Sequence, residues 1–236
     1  MRADNSIRTI LFDFDGTLVF HQPDSFDIVR DFCREIGQPL SPEAERHGRR
    51  TRHEFFVDPI LRDRVSGLSS QEFWTHFHRH LLEALGVKGD LGRLAKEATD
   101  RASSLTLTYH CPEASCLALS ELGERGYDLG LVTNRINVER FHELMDQMCL
   151  WPHFDLVLAA GEAGASKPDP QIFVAALDRL GASAQESIYV GDNYWADVVG
   201  ARRAGVTPVL LDPHHLFPEA GCLILERLDD LLAWLA

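Results

Sequence analysis

The stretch that decides the fold is Ile7–Leu18, which reads IRTILFDFDGTL. Its first half is a short apolar run, typical of a strand buried in a sheet that is covered on both faces. Two carboxylates, Asp13 and Asp15, follow the run, and Gly16 permits a tight backbone turn after them. The stretch therefore predicts a buried strand that ends in a pair of aspartates.

Further strands of the same kind follow, and helical patterns separate them. The predicted strands are Arg8–Phe12, Leu129–Val132, Asp155–Leu158, Ser187–Val190, Pro208–Leu211 and, more weakly, Cys222–Leu225. The predicted helices between and after them are Pro112–Arg125, Val138–Met148, Pro170–Leu180, Ala196–Ala204 and Leu228–Leu235. Alternation of strand and helix is typical of a parallel, doubly wound sheet. The expected fold class is therefore α/β, with a Rossmann-like core.

This alternation is interrupted between about Phe20 and Thr108. The segment shows no comparable strand signal, and its helical patterns are Phe26–Ile36, Pro42–Phe56, Ser70–Leu85 and Leu91–Ala102. It is too long to be a loop inside a compact domain. We therefore expect two domains: a Rossmann-like core of residues 1–20 and 109–236, and an all-helical domain of residues 21–108 placed over the strand ends.

The composition limits the class of partner. The chain has 236 residues, 45% of them hydrophobic, and a formal net charge of −13. An acidic chain lacks the basic surface that nucleic acid or anionic lipid requires, so neither partner is expected. No apolar run is long enough to cross a membrane, and the N-terminus lacks the apolar core of a signal peptide. A monomer or homodimer is expected.

The cysteines indicate a reducing compartment. The five of them are odd in number and irregularly spaced, as free thiols in a cytoplasmic protein would be. Cys111 and Cys116 are interpreted as packed thiols and not as half of a metal site, because no second pair follows them. We therefore expect a cytoplasmic protein.

Three later segments also lie at or just past a predicted strand. They are Leu131–Asn134 (LVTN), Lys167–Pro168 and Gly191–Asp197 (GDNYWAD). Because parallel strand ends gather in one crevice, we expect carboxylates, a hydroxyl and an ammonium to meet there. Each segment alone also fits a turn, a helix cap or a solvated lysine. The prediction of a site depends on all the segments occurring together.

The first segment supplies the reacting groups of a phosphoryl transfer. Asp13 can attack phosphorus and form an acyl phosphate, which splits one difficult displacement into two easier ones. Asp15 is close enough to serve the same centre. It can protonate the leaving oxygen and then deprotonate the attacking water.

The later segments supply the groups that hold the phosphate and a cation. The Thr133 hydroxyl, Asn134 beside it and Lys167 are expected to bind the substrate phosphate. Asp192 can help to hold a hard cation, and Mg²⁺ fits best because it accepts a few carboxylates together with water and substrate oxygen. Asp197 is expected to orient Lys167 or a water of the metal.

Together these segments resemble the motifs of the haloacid dehalogenase-like hydrolase superfamily, over residues 7–20 and 112–212. The resemblance implies a Mg²⁺-dependent phosphatase that hydrolyses a small phosphorylated metabolite through an aspartyl-phosphate intermediate. The helical insert between the first and second motifs resembles the cap of the first type in this family.

The resemblance also implies a role for each site residue. These roles are nucleophile for Asp13, acid/base for Asp15, phosphate-binding hydroxyl for Thr133, stabilising cation for Lys167, magnesium ligand for Asp192 and supporting acid for Asp197. In such proteins the acid/base also lends its backbone carbonyl to the metal. The implied metal ligands are therefore Asp13, Asp15 and Asp192.

Other functions stay open. A sugar phosphomutase shares Asp13 and Asp15 but returns the phosphoryl group to a sugar. A dehalogenase is disfavoured because those relatives keep no aspartate at the position of Asp15. Phosphonate cleavage needs a Schiff-base lysine in the insert, and neither Lys88 nor Lys96 is placed convincingly. A non-catalytic module that binds a phosphorylated ligand is disfavoured by the complete set of acid, base and cation.

Overall fold

The computed structural model describes residues 6–58, 60–61 and 67–236. The chain divides into two compact units, Met1–Phe20 with Tyr109–Ala236 and His21–Thr108. We call them the core unit and the helical unit. Positions 1–5, 59 and 62–66 of the two predicted domains lie outside the described residues.

The core unit is built on a parallel sheet. The strands of the described residues are β1 (Thr9–Phe12), β2 (Phe20–Gln22), β3 (Thr108–His110), β4 (Asp128–Thr133), β5 (Leu156–Ala159), β6 (Ser187–Gly191), β7 (Thr207–Leu211) and β8 (Leu223–Leu225). Six of them form one sheet in the order β5-β4-β1-β6-β7-β8, and every neighbouring pair is parallel. The predicted α/β, Rossmann-like class is therefore confirmed.

Helices make up most of the remaining regular structure. Among the described residues of the helical unit they include α1 (Ser25–Glu35), α2 (Pro42–Phe55), α3 (Ser70–Ala84) and α4 (Leu91–Ser104). In the core unit they are α5 (Glu113–Glu124), α6 (Val138–Gln147), α7 (Ala160–Ala163), α8 (Pro170–Leu180), α9 (Val199–Arg203) and α10 (Asp230–Trp234). The core unit also contains short 3₁₀ turns at Trp151–His153 and Ala184–Glu186, and a π-helical turn at Tyr194–Val198.

Both faces of the sheet are covered, as the continuous apolar strands predict. Successive side chains of a strand point to opposite faces. In β1, Ile10 and Phe12 join one apolar cluster with Phe141 of α6, whereas Leu11 joins a second cluster with Phe173 of α8. All five side chains are fully buried. The helices on the two faces thus leave the edge at the carboxyl ends of the strands for polar residues.

The helical unit has its own apolar core and well-defined helix starts. Ser69 and Glu72 form a capping box at the start of α3, and the side chain of Asp24 accepts two backbone N–H groups at the start of α1. Phe55 and Phe77 pack edge to face with ring centroids 5.1 Å apart. None of the helices within the described ranges is long and apolar enough to cross a membrane.

The structure differs from the sequence-based expectation at four elements. Strands β2 and β3 and helix α7 were not predicted, because elements of three or four residues carry too little pattern. The helix predicted at Ala196–Ala204 begins earlier, with the π turn, and continues as α9. The reason is Asn193, whose side chain accepts the backbone N–H groups of Trp195 and Ala196 and so starts the helix there.

Candidate active site

Polar residues meet where β1, β4 and β6 end. The register pairs Phe12 with Leu131 on one side and with Val190 on the other. Asp13 follows β1 at this level, and its backbone N–H donates to Val190 O over 2.9 Å. Thr133 ends β4 at the same edge of the sheet and is buried. Residues from distant parts of the sequence therefore lie side by side, as parallel topology dictates.

Lys167 lies at the centre of the cluster and is only 2% exposed. Its Nζ is 2.6 Å from Asp13 Oδ1 and 2.7 Å from Asp197 Oδ1, and it donates to Tyr189 Oη over 2.8 Å. An ammonium has three protons, so these acceptors account for all of them. The buried cation is thus fixed in one position between two carboxylates.

The electrostatics of the cluster follow from burial and crowding. Burial on its own would lower the pKa of Lys167, but the carboxylates of Asp13 and Asp197 outweigh it and hold that pKa above its ordinary value. Burial raises the pKa of Asp13, with Lys167 opposing and the charges of Asp197 and Asp192 adding to it. Three carboxylates around one ammonium leave an excess of negative charge. A bound cation would remove that excess.

The donor set fits a hard divalent cation. Carboxylate oxygens of Asp13, Asp192 and Asp197 lie within 4.8 Å of one another. Asp197 already accepts from Lys167 and, through Oδ2, from the backbone N–H of Asn193 over 2.8 Å. Asp13 and Asp192 would therefore hold the cation, and their oxygens are the ligands that Mg²⁺ prefers.

Gly16 keeps the space beside Asp192 clear. Its φ of 81° is unfavourable for any other residue, and a Cβ there would overlap the Asp192 carboxylate. The turn that follows Asp13 and Asp15 can therefore pass close to Asp192 only because residue 16 has no side chain.

Asp15 is held by Arg135, a residue that the sequence analysis did not single out. Arg135 Nε donates to Asp15 Oδ2 over 2.8 Å, and Nη2 donates to Oδ1 over 2.6 Å. The guanidinium also lies over the rings of Phe14 at 5.2 Å and Tyr109 at 5.8 Å. A bidentate pair backed by two rings fixes the direction of the Asp15 carboxylate. The sequence signal that could have identified Arg135 as a site residue was its position directly after Thr133 and Asn134.

Asn134 lies in the site, but its side chain contacts the backbone of Lys167. Its Nδ2 donates to Lys167 O over 2.9 Å, and its Oδ1 accepts from Lys167 N over 2.7 Å. Phosphate binding by Asn134 stays a prediction. What the geometry shows is that this amide holds the loop that presents the buried lysine.

Tyr189 is a second residue that sequence reasoning missed. Besides accepting from Lys167, its hydroxyl donates to Val132 O over 2.9 Å. Burial raises its pKa well above the ordinary value, so the phenol stays neutral. Tyr189 stands within the apolar run of β6, where a strand pattern indicates only packing, and no sequence signal marked its hydroxyl.

Comparison with known proteins gives the family of this arrangement. A family model described as haloacid dehalogenase-like hydrolase matches residues 7–205. A phosphoserine phosphatase of Thermus thermophilus is 32% identical over 237 residues, covering 90% of this chain and 91% of the relative. A ribulose-1,5-bisphosphate 5-phosphatase of Halopiger xanaduensis is 30% identical, with 86% and 84% covered.

A solved structure shares the fold over nearly the full length. The crystal structure of a 2-haloacid dehalogenase from Pseudomonas syringae is 25% identical, covers 97% of this chain and 98% of its own, and superposes with a TM-score of 0.55. The motifs, the parallel sheet and these matches agree with one another. The chain therefore belongs to the haloacid dehalogenase-like hydrolases.

Proposed function

We propose that the protein is a Mg²⁺-dependent phosphatase that hydrolyses a small phosphorylated metabolite through an aspartyl-phosphate on Asp13. The observation that carries the proposal is the buried Asp13–Lys167–Asp197 arrangement, with Asp15 two residues beyond the nucleophile. The relatives named phosphatases support the same reaction class, hydrolysis of phosphate esters.

In the first step an oxygen of Asp13 attacks phosphorus. The bond between Asp13 and phosphorus forms as the bond to the ester oxygen breaks, and Asp15 gives its proton to that oxygen. In the second step Asp15 takes a proton from water, whose oxygen attacks phosphorus and releases Asp13. Lys167, held by Asp197, offsets the negative charge that approaches Asp13 in both steps.

Asp13 and Asp192 would hold the cation together with the backbone carbonyl of Asp15. When bound, Mg²⁺ lowers the repulsion between the anionic nucleophile and the anionic phosphate. Thr133 is proposed to bind a phosphate oxygen, since its hydroxyl lies at the strand end. That hydroxyl accepts from the backbone N–H of Arg135 over 3.3 Å, which leaves its proton for an anion.

Asp15 also separates this reaction from dehalogenation. Displacement of a halide at carbon needs no acid for the leaving group, whereas an alkoxide leaving from phosphorus does. The ion pair with Arg135 occupies both oxygens of Asp15. The pair must therefore loosen, and Asp15 must take up a proton, before Asp15 can act as the acid of the first step.

The test combines turnover with direct detection of the intermediate. Phosphate release would be screened over phosphorylated metabolites with Mg²⁺ present, and acid-quenched samples would be searched by mass spectrometry for a phosphate on Asp13. The parent protein is expected to show both signals, and Asp13→Asn neither. Asp128→Asn, at the opposite end of β4, is the matched control and should behave as the parent.

Two results would redirect the proposal. Turnover by Asp13→Asn at the parent rate would exclude the covalent route. Conversion of a sugar 1-phosphate to its isomer with little free phosphate would identify a phosphomutase instead.

The helical unit is proposed to act as a cap that selects the substrate. Every proposed catalytic residue lies outside it, so a variant lacking residues 21–108 would retain the whole set. Such a variant, once shown to be folded, is expected to lose most turnover of the best metabolite while keeping slow hydrolysis of an aryl phosphate. An unchanged ratio of the two activities would assign selectivity to the core unit.

A further inference from the structure

Two thiols of the core unit lie against each other outside the proposed active site. Cys116 Sγ donates to Cys111 Sγ over 3.0 Å, and both cysteines are free. This distance is only about 1 Å longer than the bond of about 2.05 Å that joins two sulfur atoms in a disulfide. A small rotation of the two side chains would bring the sulfur atoms to bonding distance.

Local structure explains why the thiols meet. Cys111 directly follows β3, and Pro112 is the N-cap of α5, whose first turn contains Cys116. Both side chains pack against the apolar cluster that contains Ile10 and Phe12, so neighbouring side chains hold them in place. Each is nevertheless partly exposed, which leaves a path for a small reagent. Among the described residues no third metal ligand completes a metal site with them.

We propose that Cys111 and Cys116 form a reversible intramolecular disulfide by exchange with a small-molecule disulfide such as oxidised glutathione. This modification site is independent of the phosphatase proposal. It adds a reaction to two thiols that are free and packed against the apolar cluster, as the sequence analysis predicts.

The exchange balances without a further reactant. The thiolate of one cysteine attacks a sulfur of oxidised glutathione, whose disulfide bond breaks and releases one glutathione thiolate. The second cysteine loses its proton and attacks the protein sulfur of this mixed disulfide, which releases the second glutathione. Two protein thiols are oxidised to one disulfide, and one glutathione disulfide is reduced to two thiols.

The sequence permits a direct assay on the full chain. No lysine or arginine lies between Arg101 and Arg125, so trypsin releases both cysteines on one peptide, residues 102–125. The protein would be incubated with oxidised glutathione, alkylated, digested and analysed by mass spectrometry. The peptide is expected to be lighter by two hydrogen atoms and to carry no alkyl group. Prior treatment with a thiol reductant should restore two alkylated cysteines.

Variants separate ring closure from simple thiol reactivity. In Cys111→Ser the glutathione on Cys116 has no partner to expel it, so a stable mixed disulfide is expected on peptide 102–125. The matched control Cys149→Ser removes an exposed thiol and should leave ring closure unchanged. The proposal is overturned if both cysteines of the parent remain alkylatable under conditions that modify Cys149. It is also overturned if they carry glutathione without closing the ring.

Discussion

At the scale of single residues, the buried ammonium of Lys167 makes polar contacts with three side chains of the candidate active site. Lys167 contacts Asp13 after β1, Tyr189 in β6 and Asp197 in the π turn, while Asn134 holds its backbone. Four parts of the chain therefore share one charged centre. Removing Lys167 should cost more stability than removing Asp13. Without Lys167 the buried carboxylates of Asp13 and Asp197 have no counter-charge, whereas without Asp13 the ion pair of Lys167 with Asp197 is kept.

Lys167→Met is expected to abolish turnover and to lower the free energy of unfolding by about 3–5 kcal/mol, since Asp13 and Asp197 lose their buried counter-charge. Asp13→Asn is expected to abolish turnover with little loss of stability, because Lys167 keeps Asp197 and one negative charge is gone. Urea titrations of both variants in metal-free buffer give the comparison. Equal stability of Lys167→Met and the parent protein would contradict the central role of this ion pair.

Tyr189→Phe tests the contact that the sequence did not reveal. Removing the hydroxyl takes one of three acceptors from Lys167 Nζ, which keeps Asp13 and Asp197, and it removes the donor that Tyr189 gives to Val132 O. A loss of about 1–3 kcal/mol in the free energy of unfolding is expected, with a lower kcat because the lysine is held less firmly. Tyr127→Phe, whose ring packs against the core of the same unit, is the control. Parent-like kcat and stability in Tyr189→Phe would remove this tyrosine from the site.

At the scale of elements, the apolar strands were predictable from the sequence, whereas hydrogen bonds made by polar side chains were not. Strands β1, β4, β5, β6 and β7 each contain a short apolar run, so they were predicted close to their true bounds. The first residues of the π turn were missed because a helix beginning one residue after Trp195 fits the apolar pattern equally well. The partnership of Arg135 with Asp15 was missed because it joins β4 to the turn after β1, which no local pattern reports.

Helices α3 and α4 of the helical unit are linked by a buried histidine whose state depends on pH. His78 Nδ1 is 2.8 Å from Thr99 Oγ1, and the Thr99 hydroxyl donates its proton to Ala95 O over 2.8 Å. The hydroxyl must therefore accept from the imidazole N–H. Burial lowers the pKa of His78 from 6.5 to about 4. The folded chain thus keeps this imidazole neutral where the unfolded chain protonates it.

Stability should fall with acid in a defined window. Between the unfolded pKa of 6.5 and the folded pKa of about 4 the unfolded chain binds one more proton at His78. The free energy of unfolding is therefore expected to decrease by about 1.4 kcal/mol for each unit of falling pH in that window. His78→Asn keeps a group that can bond to Thr99 and does not titrate, so it should lose this part of the slope. Identical slopes for variant and parent would contradict a buried neutral histidine.

At the scale of the whole molecule, the negative charge of the site should make the fold responsive to Mg²⁺. A cation that binds only the folded chain stabilises it by an amount that grows with the logarithm of its concentration. Thermal unfolding is therefore expected to shift upwards with added Mg²⁺ and to return with chelator. Asp192→Asn should reduce this shift in the unfolding temperature. Asp128→Asn is the control. Asp212→Asn is unsuitable as a control because the Asp212 carboxylate accepts the backbone N–H groups of Leu216 and Phe217. A shift of parent size in Asp192→Asn would exclude Asp192 as a ligand.

Calcium offers a further comparison for activity. Its larger and looser coordination shell would misplace Asp13 relative to phosphorus, so Ca²⁺ is expected to support much less turnover than Mg²⁺. Full activity with excess chelator would exclude any requirement for a divalent cation.

The order of the strands also has a consequence for synthesis of the chain. Strand β1 lies in the interior of the sheet, between β4 and β6, yet it leaves the ribosome before either neighbour exists. The intervening helical unit is one continuous segment with its own apolar core, so it can fold while β1 still waits for partners. The apolar Thr9–Phe12 segment therefore stays unpaired during much of translation, and chaperones that bind extended apolar chains are expected to act on this protein at that stage.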